Sequence, residues 1–152
     1  NQLILQIAGL IKDETNLVGI LANVSAALHD AFPERFFWVG FYLQENGNML
    51  RLGPFQGSVA CYVIPFGKGV CGKAWEEERT LIVPDVEKFP GHIACSSLSR
   101  SEIVVPMYDD SHTFRGVLDI DNTRLNDFNE DDKEGLERII ELLMAETHDL
   151  FQ

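Results

Sequence analysis

Cysteines 61, 71 and 95 are the residues of this chain with the widest chemical reach. Cys95 stands in "HIACSS", after "FPG" and before a run of serines, where turn residues dominate and no strand or helix periodicity holds. A thiol on such a loop can reach a bound molecule and afterwards swing to a second thiol, which a thiol fixed in a core could not do. Cys71 lies among the glycines of "PFGKGVCGKAW", just ahead of a short helical pattern, where free backbone N–H groups bind anions or favour a thiolate. The same glycines also suit an ordinary turn. Cys61, in "ACYVIPF", reads as a strand position, where a lone cysteine is more often a small core residue. His92 precedes Cys95 by three residues and is placed either to support its thiolate or to stand solvated. An odd count rules out a fully paired disulfide framework, and the spacing lacks both C-x-x-C and a nearby H-x-x-x-H, so no metal site is expected.

Acids and aromatics form a second set. In "VLDID", Asp119 and Asp121 point to the same side as Val117, and Glu102 opens the neighbouring run "EIVVPMY". A polar, exposed strand face gives the same alternation. Three carboxylates brought onto one face would repel unless they bind a cation or one keeps its proton, an arrangement suited to an ammonium group or a proton-donating acid. In "FFWVGFYL", Phe37, Val39, Phe41 and Leu43 share one face and Phe36, Trp38, Gly40 and Tyr42 the other. Either helices cover both faces, or Trp38 and Tyr42 wall a pocket with Gly40 leaving room between them.

The elements that must position these groups follow from periodicity. Residues 3–12 and 17–32 read as amphipathic helices, the second with Asn16 as N-cap and Pro33 as its stop. "FFWVGFYLQENGNMLRLGPF" predicts a hairpin around "ENGN", "ACYVIPF" a third strand and "LIVPD" another. Residues 86–101 predict a long loop, and loops of that length inside a domain are usually functional. "EIVVPMY" and "RGVLDID" make a second hairpin, and a helix from about Glu130 buries Leu136, Ile139, Ile140, Leu143 and Met144. That order implies one α+β domain over residues 1–152, an antiparallel sheet with packed helices.

Composition narrows the function. With 24 acids against 12 bases the chain carries a formal charge of −12, which repels nucleic acid and anionic membranes. At 45% hydrophobic residues it can build a core, yet no apolar run reaches membrane-spanning length and no signal-peptide pattern is present, so a cytoplasmic location is expected.

Together, "GPFQGSVACYVIPFGKGVCGKAW", "LIVPDVEKFPGHIACSS", "SEIVVPMY" and "GVLDIDN" resemble the free methionine-(R)-sulfoxide reductases, a stand-alone group of the GAF domain superfamily, from the second helix to the last. The resemblance implies a sheet of about six antiparallel strands flanked by helices. It implies Cys95 as the catalytic cysteine and Cys61 and Cys71 as the other redox thiols. Glu102, Asp119 and Asp121 match the substrate-pocket acids, and Trp38 and Tyr42 the pocket aromatics. The implied substrate is free L-methionine (R)-sulfoxide and the implied reductant thioredoxin, with no metal or organic cofactor, in a homodimer. Cys95 would carry a sulfenic acid that a second thiol resolves; both Cys61 and Cys71 are open as partners, with Cys71 preferred because a helix start favours its thiolate. Two other classes remain beside this: a GAF module sensing a small ligand, and a thiol redox sensor without substrate.

Overall fold

The computed structural model describes residues 2–151. Helices α1 (Gln2–Ile11) and α2 (Leu17–Ala31) are followed by strands β1 (Trp38–Glu45), β2 (Met49–Gln56) and β3 (Val63–Pro65). Helix α3 (Gly69–Glu77) and strand β4 (Leu81–Val83) lead to a 3-10 turn, Val86–Lys88. Strands β5 (Ser101–Tyr108) and β6 (Phe114–Asn122) and helix α4 (Glu130–Thr147) complete the α+β domain. The six strands pair antiparallel in the order β3-β2-β1-β6-β5-β4. No helix among the described residues is long and apolar enough to cross a membrane.

Alternation along the strands divides the interior in two. Val39, Phe41, Ile103, Val105, Leu118 and Ile120 face one way and pack under Leu21, Val24 and Leu28 of α2 and Leu136, Ile139, Ile140 and Leu143 of α4. Trp38, Tyr42, Val104 and Val117 face the other way, toward Val70, Cys71 and Ala74 of α3. Helices α2 and α4 therefore cover one face of the sheet, with α1 packed against them, while α3 and two loops cover the other. That second layer is where polar groups reach the interior.

Several boundaries differ from those that periodicity predicts. Asn16 is the N-cap of α2 as expected, but its side chain makes no capping hydrogen bond; its carbonyl accepts the Ile20 N–H at 2.9 Å. Strand β1 begins at Trp38, so Phe36 and Phe37 precede the pleat and exchange faces: Phe36 joins the core under α2 and α4, and Phe37 packs against the layer containing Trp38. Strand β3 is only three residues long, which leaves Cys61 in the loop before it rather than on a strand. The helix from Glu130 forms as its pattern predicts, closed by a capping box in which Asn129 and Asp132 each accept the other's backbone N–H.

Candidate functional site

Hydrogen-bonding register sets the acids. Glu102 on β5 stands directly opposite Asp121 on β6, and Asp121 in turn stands opposite Trp38 on β1. One step along, Asp119 lies between Val104 and Gly40, and beyond it Val117 opposes Tyr42. The three carboxylates and two aromatic rings thus share the face toward α3, as alternation requires. Glu102 and Asp119 are buried, 6% and 5% exposed, which rules out a solvated polar strand face.

Gly40 occupies the one position of β1 where no side chain fits. A Cβ there would lie 2.8 Å from the Phe55 Cα and 2.9 Å from Trp38 Cη2. Its cross-strand partner Phe55 stacks on Trp38 with ring centroids 5.0 Å apart, and Trp38 stacks on Tyr42 at 5.9 Å. Phe55 escapes a reading of the sequence motif by motif; a glycine amid an aromatic strand, with an aromatic on the partner run, is the signal that finds it. The polar tips of the rings tether the loop before β3. The Trp38 indole N–H donates to the Ser58 carbonyl at 2.9 Å and the Tyr42 hydroxyl to the Cys61 carbonyl at 3.1 Å.

Two loops close over this floor, joined by a disulfide between Cys61 and Cys95 whose Cα atoms are 5.3 Å apart. The Cys95 loop rests on the start of α3, where Gly69, with φ of +61°, leaves only 3.2 Å between a would-be Cβ and the Ile93 side chain. His92, on the same loop, brings Nε2 to 3.9 Å from Glu102 Oε1, and burial pushes its pKa down. His92 therefore lies against an acid of the floor. What remains is a cavity of about 40 Å³ lined by Trp38, Tyr42, Cys71, His92, Cys95, Ser99, Glu102, Asp119 and Asp121, among others. That volume holds a few waters.

Cys71 corrects the preference for it as the resolving thiol. It does occupy the first turn of α3, but it is buried beside Asp119, and burial followed by the charges of Asp119, Glu102 and Asp121 pushes its pKa well up. A helix terminus contributes about 0.3–1 kcal/mol, less than the ~1.4 kcal/mol of one pKa unit. Burial of an ionised group shifts pKa by up to ~3–5 units, so burial wins. Cys71 is the free cysteine of the structure, and Cys61 is the partner of Cys95.

Burial, and then the charge on Asp119, hold Glu102 and Asp121 well above the usual carboxylate range. Asp119 is raised by burial too, while contacts with Glu102 and Cys71 pull it back. One oxygen of Asp119, Oδ1, is buried without a hydrogen-bond partner. The arrangement therefore offers a negative charge and a free acceptor on Asp119 beside acids that keep their protons to higher pH. Cys71 Sγ, a Glu102 oxygen and an Asp119 oxygen also lie within 4.8 Å of one another. Spacing along the sequence excluded a metal-ligand set, because these atoms come from α3, β5 and β6 and meet only in the fold.

The GAF domain family matches residues 16–146. Among curated proteins, GAF domain-containing protein A of Dictyostelium discoideum is 58% identical over 138 residues, covering 91% of this chain and 85% of that protein. Free methionine-R-sulfoxide reductase of Saccharomyces cerevisiae is 45% identical over 147 residues, covering 93% and 82%. A solved structure of free methionine-R-sulfoxide reductase from Neisseria meningitidis, in complex with its substrate, superimposes with a TM-score of 0.92 at 48% identity, over 96% of this chain and 86% of that one.

Proposed function

Because the chain belongs to the GAF domain family, and within it to the free methionine-R-sulfoxide reductases, we propose that it reduces free L-methionine (R)-sulfoxide to methionine by thiol chemistry at Cys95. The observation that carries this reading is the Cys61–Cys95 disulfide closing a cavity whose floor is Glu102, Asp119 and Asp121.

A sulfoxide sulfur is a poor electrophile until its oxygen receives a hydrogen bond or proton. Glu102, placed between Asp119 and Asp121 and held protonated by burial and by the Asp119 charge, is the general acid best suited to supply it. Asp119, whose charge raises both other acids and whose buried Oδ1 has no partner, receives the substrate ammonium. Trp38 and Tyr42 pack against the methyl and thioether end.

The Cys95 thiolate attacks sulfur, methionine leaves, and the sulfoxide oxygen remains on the enzyme as a Cys95 sulfenic acid. The Cys61 thiol then displaces water from that sulfenic acid and forms the disulfide. Two electrons have passed from two thiols to one sulfoxide. The bridge joins two half-exposed loop residues, within reach of a dithiol protein of the thioredoxin class, which returns both thiols by exchange. While the bridge stands, the small cavity has no space for an amino acid, so substrate binds after reduction frees the loop.

An acid cluster spent on an α-ammonium distinguishes the free amino acid from a residue in a peptide, whose nitrogen is a neutral amide. The test is turnover with thioredoxin, thioredoxin reductase and NADPH on the separate R and S epimers of free methionine sulfoxide and on the N-acetylated, amidated R form. NADPH oxidation is expected with free R-sulfoxide only. Equal rates on the blocked form would overturn the substrate assignment, and methionine binding without turnover on any form would make the chain a small-ligand sensor.

A further inference from the structure

We propose that Cys71, Glu102 and Asp119 form a binding site for one soft divalent cation, best suited to zinc, that persists while the Cys61–Cys95 bridge closes the pocket. This ion site does not depend on the reductase reading.

Cys71 Sγ and one oxygen each of Glu102 and Asp119 lie within 4.8 Å of one another, and all three residues are buried. A tetrahedral zinc with Zn–S near 2.3 Å and Zn–O near 2.1 Å needs ligand atoms roughly 3.3–3.8 Å apart. Side-chain shifts of about an ångström would therefore close the set. Asp119 Oδ1 independently points to a ligand: it is a buried oxygen with no hydrogen-bond partner, on a residue 5% exposed that lines the cavity. His92 Nε2, 3.9 Å from Glu102 Oε1, is the nearest nitrogen able to complete a fourth position.

One thiolate, two carboxylates and an imidazole are the ligand types that select zinc over magnesium or calcium, which take oxygen shells. The cavity of about 40 Å³ has room for an ion where it has none for an amino acid. On binding, the Cys71 S–H proton and any proton shared among the carboxyl groups are released to solvent, and the cation replaces their charge compensation. No redox step is involved.

The disulfide form isolates the site, since Cys71 is then the free cysteine and neither Cys61 nor Cys95 can ligate. Metal-free, fully oxidised protein would be titrated with Co²⁺ and, separately, Zn²⁺. One equivalent of Co²⁺ should bind and give a thiolate-to-cobalt charge-transfer band in the near ultraviolet that one equivalent of Zn²⁺ abolishes. Cys71→Ser should lose the band, and both Cys71→Ser and Asp119→Asn should weaken Zn²⁺ binding at least about 100-fold while keeping a native circular dichroism spectrum. No charge-transfer band in the wild-type protein would overturn the proposal without recourse to any variant. An unchanged Zn²⁺ affinity in Cys71→Ser would overturn it equally. Sulfoxide turnover by metal-free reduced protein, measured alongside, judges the reductase reading separately.

Discussion

Glu102 and Asp121 face one another directly across the β5–β6 ladder, and both hold their protons well above the usual carboxylate range because burial and the Asp119 charge disfavour ionisation. A buried acid and a half-buried one in register are a poor arrangement for stability and a good one for proton donation. Glu102→Gln keeps the shape and a hydrogen-bond donor but removes the transferable proton. Its kcat should fall at least ~100-fold, as loss of a general acid does. Steady-state kinetics on free methionine R-sulfoxide would check this, and a kcat within threefold of wild type would remove Glu102 from the chemistry.

The same substitution should stabilise the fold, with a defined pH dependence. Glu102 and Asp121 have folded pKa values raised above their unfolded values of about 4. Above pH ~4 the native state therefore binds more protons than the unfolded state, and stability is lost as pH rises toward the raised values. Glu102→Gln removes that loss at its position. The variant should melt higher than wild type at pH 7–8, by about 2–4 °C for each kcal/mol relieved, and the gap should shrink toward pH 4. A thermal melting series over this range would show it; a gap that widened at low pH would reverse the assigned sign.

Gly40→Ala tests the floor. The added Cβ would meet backbone, Phe55 Cα at 2.8 Å, as well as the Trp38 ring, so the β1–β2 pair has to spread. Overpacking of this kind costs about 1–3 kcal/mol. A lowered Tm together with a raised KM is expected, because Trp38 is displaced; an unchanged melting curve would show that the strands give way freely.

Cys61 and Cys71 should separate cleanly as variants. Cys71→Ser leaves the observed bridge intact, so substrate-driven oxidation should still yield Cys61–Cys95 in full. Cys61→Ser should leave Cys95 as a sulfenic acid after one turnover, trapped by dimedone and visible as the adduct in peptide mass spectrometry. Rapid formation of a Cys71–Cys95 bridge in Cys61→Ser would make Cys71 an effective resolver despite its burial.

What the sequence disclosed, and what it hid, follows from the range of the interactions. Helix and strand patterns depend on neighbours a few residues apart, so α2, α4 and both hairpins are legible, and alternation alone places Asp119 and Asp121 on one face. The convergence of Glu102 with them was legible because β5 and β6 are adjacent in the chain. The state of Cys71 was not: its helix position is local, but the acids that raise its pKa come from strands more than thirty residues later, and they outweigh the helix terminus. The loop position of Cys61 was hidden for a related reason. β3 pairs with only three residues of β2, and the local pattern of apolar residues does not mark where that pairing stops.

The most direct measurement is a single turnover without external reductant. Fully reduced protein would be mixed with one equivalent of free methionine R-sulfoxide, quenched in acid, and analysed for methionine and for its cysteine linkages. One methionine per chain and a Cys61–Cys95 disulfide are expected, with neither product in Cys95→Ser. Methionine formed equally by Cys95→Ser, or no methionine from the wild-type chain, would contradict the account.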